Sequence, residues 1–366
     1  MITHVALEEF KCFSALRLSY GALTLLTGYN AGGKSSALQP LLLLAQQLRR
    51  APTLTEVGLN GPLVRLGTVG DIVPAGVASS DPAFTFESPS DTLQLRFVAR
   101  AGERALRVRD VMSGEAGLNA DGEVLRTLRT LVYLSAVRAP TGAAYPVPDA
   151  EQDWRSNVGL DGRYAAYWLD QTSDDVVPEA RRHPNEPADS VRKQVDAWMG
   201  TLFPGAQVNT RLLPEASSIA LQFRLREAGE WQRPANVGYG LTYALPIIVA
   251  LLVAREGQVV VIDSPEAHLH PSAQSQMGRA LAHFAASGVQ IVVETHSDHL
   301  LNGSRLAVRE GRLAPSAVRV HFFAGSEREG HGVTTLRIDE GGRIDDWPRG
   351  FFDQAEQDLA SLTGWE

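Results

Sequence analysis

The chain has 366 residues, 44% hydrophobic and 21% charged, a globular rather than disordered profile with room for one large α/β domain and an insertion, or two modest domains. Its formal net charge of −8 excludes a global basic field that would draw it onto nucleic acid, so any DNA contact must come from a local patch. Cys12 is the only cysteine, which excludes an internal disulfide and a Cys-based metal site; the longest apolar run, Leu245–Ala254, falls short of the roughly 18 residues that span a bilayer, and without a charged leader the expected location is cytoplasmic.

Short alternating runs at Ile2–Leu7, Leu16–Leu18 and Leu23–Leu26 predict three strands, the last buried. A glycine-rich loop, Gly28–Gly33, follows, then a helix over Lys34–Arg50 that Pro40 should bend or delay. Leu59–Asp71 reads as loop and strand. From 73 to 235 the pattern changes. Ala83–Glu87, Thr92–Ala99 and Ala105–Arg109 read as antiparallel strands, Leu128–Ala136 as another, and Pro140–Asp153 as a proline-rich loop. Helices over Tyr164–Leu169 and Ser190–Phe203 and a strand over Ser218–Leu225 complete what reads as an inserted α+β subdomain; no heptads predict a coiled-coil arm. Residues 236–323 return to α/β alternation, with helices at Leu241–Arg255 and Ala273–Ala286 and strands at Val259–Ile262, Val289–Glu294 and Val318–Phe323. A strand at Val333–Ile338 and a short terminal helix fall in the segment 324–366. The expected division is thus 1–72, 73–235, 236–323 and 324–366.

Gly28-Tyr-Asn-Ala-Gly-Gly-Lys34-Ser35 fits the Walker A pattern GxxxxGK[ST]. Glycines let backbone N–H groups approach phosphate oxygens, and the following helix points its positive end at the same anion. Gly28, Asn30, Ala31, Gly32, Gly33 and Ser36 form the expected cradle for ATP, with Lys34 on the β- and γ-phosphates and Ser35 on Mg²⁺. Only Lys11, Lys34 and Lys193 are lysine among 34 basic residues, so a chance Gly-Lys-Ser is rarer than usual. The apolar run Val259–Ile262 ending in Asp263 fits Walker B, whose carboxylate supports Mg²⁺. It lies far from Walker A, and His296 follows the next strand.

That order, with Leu7-Glu-Glu-Phe-Lys-Cys-Phe13, Asp263-Ser-Pro-Glu-Ala-His-Leu-His-Pro271 and Thr295-His-Ser297, resembles the ABC ATPases of the RecF, SMC and OLD-like kind. The ending Asp346–Asp353 resembles a prokaryotic subgroup of stand-alone ATPases with a C-terminal segment of unknown function. The resemblance implies a P-loop ABC-type head with an antiparallel β lobe. It also implies an ATP-dependent homodimer in which Gly238, Gly240 and Thr242 stand where the ABC signature binds the partner's γ-phosphate, although their letters differ from Leu-Ser-Gly-Gly. His296 would sense that phosphate.

One position departs from the family: the glutamate expected after Asp263 is Ser264. Either Glu266 orients the attacking water after a loop rotation, or hydrolysis is slow and the chain is a nucleotide-gated scaffold. The resemblance further implies a separately encoded effector, in phage defence or DNA maintenance. His268, His270, His296 and His299 have ligand-like spacing, but the P-loop context gives His296 and His270 other roles. Arginines at 49, 50, 96, 100, 104, 107, 109, 181 and 182 are the candidates for DNA contact, and Arg138 for the nucleotide cleft.

Overall fold

The computed structural model describes residues 1–363 except 52, 74–80, 114–121, 140, 141, 143, 150–155, 328, 329 and 349. The chain opens with β1 (His4–Phe10), β2 (Phe13–Ser19), β3 (Leu23–Gly28), α1 (Lys34–Arg50) and β4 (Glu56–Gly58). It continues through β5 (Ala83–Glu87), β6 (Thr92–Val98), β7 (Ala105–Ser113), α2 (Glu123–Arg129) and β8 (Val132–Leu134). Next come β9 (Tyr145–Pro146), α3 (Ala165–Gln171), α4 (Val191–Leu202), β10 (Gln207–Leu213) and β11 (Ser218–Arg224). The remainder is α5 (Tyr239–Val253), β12 (Val259–Asp263), α6 (Pro271–Ala286), β13 (Gln290–Glu294), α7 (Asp298–Arg309), β14 (Val318–Glu327), β15 (Gly330–Leu336) and α8 (Gln354–Thr363).

Two six-stranded sheets organise the molecule. The central one runs β15-β14-β3-β13-β12-β8, parallel except for β15. Successive side chains on a strand face opposite sides, and the packing follows that rule. Val259, Val261 and Val292 face a core shared with α1 and the aromatic residues Phe84, Phe86 and Phe97 of the second sheet. Val260, Ile262, Ile291 and Val293 face a core built with α5, α6 and α7. Helix α1 therefore lies between the sheets, beginning at Lys34 without delay and carrying Pro40 buried inside it.

In the second sheet, β2-β1-β5-β6-β7-β4, strands from both sides of residue 73 pair with one another. β5 pairs with β1 (His4↔Glu87 to Glu8↔Ala83), and β8 pairs with β12 in the central sheet. Much of the expected insert is thus woven into the two large sheets. The physical reason is that β1 and β12 each had a free edge to satisfy, and pairing across such separations leaves no local pattern. Beyond it, α3, α4 and the sheet β10-β11-β9 pack against the α5 face.

The expected strand Leu128–Ala136 is also corrected. Val124, Leu125 and Leu128 are buried at helical spacing in α2, and only Val132–Leu134 are extended. Part of the expected loop Pro140–Asp153 lies outside the described residues. Among the described residues no helix is long and apolar enough to cross a membrane.

Candidate nucleotide site

Gly28–Gly33 forms the turn from β3 into α1. Gly28 has φ 124°, and a Cβ there would sit 2.3 Å from the Phe323 carbonyl oxygen of neighbouring β14. Gly33 has φ 102°, and its Cβ would meet the Phe13 ring at 2.4 Å. Both positions therefore require glycine twice over, by backbone conformation and by space. Gly32 is buried, Asn30 and Ala31 are exposed, and Ala31 takes φ 60°. No side chain caps the start of α1, which leaves its first N–H groups free for an anion.

Around this turn lies an open cleft of about 450 Å³ lined by Lys11, Cys12, Ala31, Gly32, Gly33, Lys34, Ser35, Ser36 and Glu294. The Lys34 ammonium is buried and donates to the carbonyls of Gly28 (3.1 Å) and Tyr29 (2.8 Å). Burial lowers its pKa, against the pull of Glu294 and Asp263. Ser35 Oγ donates to the Glu294 carboxylate, 3.1 Å from Oε1 and 3.0 Å from Oε2. Glu294 ends β13 directly across from Asp263 at the end of β12. Burial and the Asp263 charge push its pKa up to about 7, opposed by the Ser35 hydrogen bond and Lys34. Sequence reasoning missed Glu294; its one signal was an acid closing an otherwise apolar strand.

After Asp263 the chain turns through two left-handed residues, Ser264 (φ 50°) and His268 (φ 62°). Ser264 Oγ donates to Asp263 Oδ1 at 2.8 Å. The turn carries Glu266 back onto the end of β13. There its Oε2 accepts from Thr295 Oγ1 and its Oε1 from the His296 backbone N–H, both at 2.8 Å. His296 is exposed over much of its surface, and partial burial of its ring, with Lys34 nearby, lowers its pKa.

Arg138 does not line the P-loop cleft as expected. It is 3% exposed, donates to the backbone carbonyls of Asp263 (2.9 Å) and Ser264 (3.3 Å), and lies 5.4 Å from the Tyr243 ring centroid. Burial pushes its pKa down to about 10.

The segment Gly238–Thr242 opens α5. Gly238 is exposed at the uncapped helix start, with open space where a Cβ would be. Gly240 is buried, because the His268 carbonyl packs 2.9 Å from its Cβ position. Thr242 is buried too and donates back to the Tyr239 carbonyl at 2.9 Å. His268 stacks edge-on against Tyr243 at 4.5 Å, and His270 Nδ1 accepts from Ser272 N at the start of α6.

On the other side of the P-loop the C-terminal segment docks. Phe351 is fully buried against Phe322 and Trp347 (ring centroids 5.4 and 4.9 Å). Gly350 takes φ 82°, and a Cβ there would run into the Tyr29 hydroxyl. A cavity of about 360 Å³ there is lined by residues of both, among them Thr27, Gly28, Tyr29, His296 and Phe352.

Several arginines proposed for DNA are otherwise engaged. Arg49 is largely buried and donates to the Leu131 carbonyl, and Arg181 to the carbonyls of Leu252 and Ala254. Arg107 pairs with Glu103 (2.9 Å) and Arg109 with Asp81 (2.5 Å).

The fold is that of the P-loop heads of SMC proteins. Residues 149–302 match a model of an AAA domain family whose description names the AbiEii toxin of type IV toxin–antitoxin systems. Residues 313–362 match a family described as a protein of unknown function, DUF3696. The first match begins after Walker A but contains Gly238–Thr242, Asp263, Glu266 and His296. No curated protein matches. Two solved structures share the fold at low identity. One is an SmcHead bound to the C-winged helix domain of ScpA: TM-score 0.56, 12% identity, 93% of this chain and 98% of that one. The other is an Smc head domain with an extended coiled coil, bound to the C-terminal domain of ScpA derived from Pyrococcus furiosus: TM-score 0.51, 11% identity, 99% of both chains.

Proposed function

We propose that the chain binds ATP with magnesium along Gly28–Ser36 and cleaves the γ-phosphate by water attack. The observation that carries this reading is one cleft holding an uncapped helix start, a buried lysine, a hydroxyl and a strand-end carboxylate beside Asp263. Lys34 and the loop amides hold phosphate oxygens, and Ser35 and Asp263 are the magnesium ligands. Their oxygen-only donor set suits a hard cation. Magnesium held there would supply positive charge to offset that of the phosphates. Glu266 orients and deprotonates the water, and His296 contacts the γ-phosphate.

The active assembly in this reading is a homodimer, each head presenting its Gly238–Thr242 to the other's nucleotide. The solved Smc heads are bound to ScpA domains, and we assign this head a separate effector protein in phage defence or DNA maintenance. A second reading, a nucleotide-gated scaffold with negligible turnover, is favoured by both Glu266 oxygens being hydrogen-bonded to Thr295 and His296.

Steady-state ATPase assays separate the two. With Glu266 as base, wild type turns over and Glu266→Gln lowers kcat by about 100-fold or more, while Ser264→Glu changes it little. In the scaffold, wild type barely turns over, Glu266→Gln matches it and Ser264→Glu accelerates hydrolysis.

A further inference from the structure

A serine hydroxyl has one proton to give and two lone pairs. In Ser35 the proton faces Glu294, whose two oxygens lie 3.0 and 3.1 Å from Oγ. Phosphate binding alone gives no reason for an acid here, since a carboxylate beside a phosphate cradle repels the ligand. Glu294 is 7% exposed, sits in register with Asp263 and lines the same cleft as Lys34. The two neighbouring carboxylates share one nearby cation, Lys34, and a divalent ion beside them would offset the charge that remains.

We infer that Glu294 is a positioning residue for the magnesium ligand Ser35. By accepting the hydroxyl proton it turns the oxygen lone pairs away from itself, toward the metal side of the cleft. Its charge adds to that of Asp263 in drawing a divalent cation. Partners of this kind commonly set metal affinity without touching the metal. The inference rests on reading Gly28–Ser36 as the MgATP site. It makes Glu294 the residue on which the magnesium dependence of nucleotide binding turns: metal-free ATP meets two acids, whereas MgATP brings their counter-charge.

The test titrates the full chain with a non-hydrolysable ATP analogue, once in magnesium chloride and once in EDTA, and takes the ratio of the two Kd values. Glu294→Gln is expected to shrink the magnesium enhancement about tenfold or more, with metal-free affinity equal to or better than wild type. In a Ser35→Ala background the same substitution is expected to change the ratio less, because the hydroxyl it positions is gone and only its charge remains to act. An enhancement in folded Glu294→Gln equal to wild type overturns the inference and leaves the nucleotide site standing. So does an equal loss of metal-free and metal-bound affinity, which marks a merely structural role. Should Glu294→Gln not fold, Glu294→Asp, which keeps the charge but withdraws the oxygens from Ser35, is read by the same criteria. A wild-type chain that binds the analogue in neither condition overturns the nucleotide reading instead.

Discussion

Burying a guanidinium is costly unless its N–H groups find acceptors; Arg138 finds two, the carbonyls of Asp263 and Ser264, while its Nε has none among the described residues. Ser264 takes φ 50°, a conformation that costs a non-glycine residue about 1 kcal/mol or more. Arg138 thus fastens the turn that carries Glu266 to the end of β13. Arg138→Met keeps much of the volume and removes every donor. It is expected to lower unfolding free energy by about 2–4 kcal/mol, measured by denaturant titration; an unchanged midpoint and slope would contradict this. At this scale the sequence was legible where a residue's chemistry is local. Walker A is such a case, because its glycines and lysine act within one turn. Glu294 and Arg138 were not legible, since their partners lie 259 and 125 residues away.

The helices α6 and α7 cross where neither tolerates a side chain. A Cβ on Gly278 would fall 2.1 Å from the Leu300 carbonyl oxygen, and one on Gly303 2.0 Å from that of Ser275. Gly303→Ala is therefore expected to force the helices apart and cost about 3 kcal/mol, seen as a lowered thermal midpoint; a midpoint at or above wild type would refute the close crossing. The same glycine explains why α7 went unpredicted. A Gly in the middle of Asn302-Gly-Ser304 reads as a helix breaker, whereas here it is what lets the helices touch. The Ser297 hydroxyl, accepting from Leu300 N at 3.0 Å, was the local signal for its start. By contrast α1, α4 and α6 were readable, because long apolar stripes at helical spacing outweigh single exceptions.

At the scale of the whole molecule, the sequence conveyed the P-loop frame but not the pairing across residue 73, where β5 joins β1 and β8 joins β12 over long separations. It set the segment 324–366 apart without a sign that Gly350 and Phe351 pack against the P-loop side of the fold. The uncapped, exposed start of α5 at Gly238 offers free N–H groups to an anion held by another copy. Light scattering is accordingly expected to show monomer without nucleotide and dimer with MgATP, the dimer persisting in Glu266→Gln. Monomer under all conditions would argue against the sandwich, and a dimer indifferent to nucleotide would place assembly on another surface. That ATP is held by Gly28–Ser36 is tested most directly by calorimetric titration of wild type and Lys34→Ala with MgATP, because the lysine ammonium now rests on the Gly28 and Tyr29 carbonyls at the mouth of the cradle. Saturable binding by wild type and its loss in folded Lys34→Ala is the predicted result; equal affinity in the two proteins would contradict it.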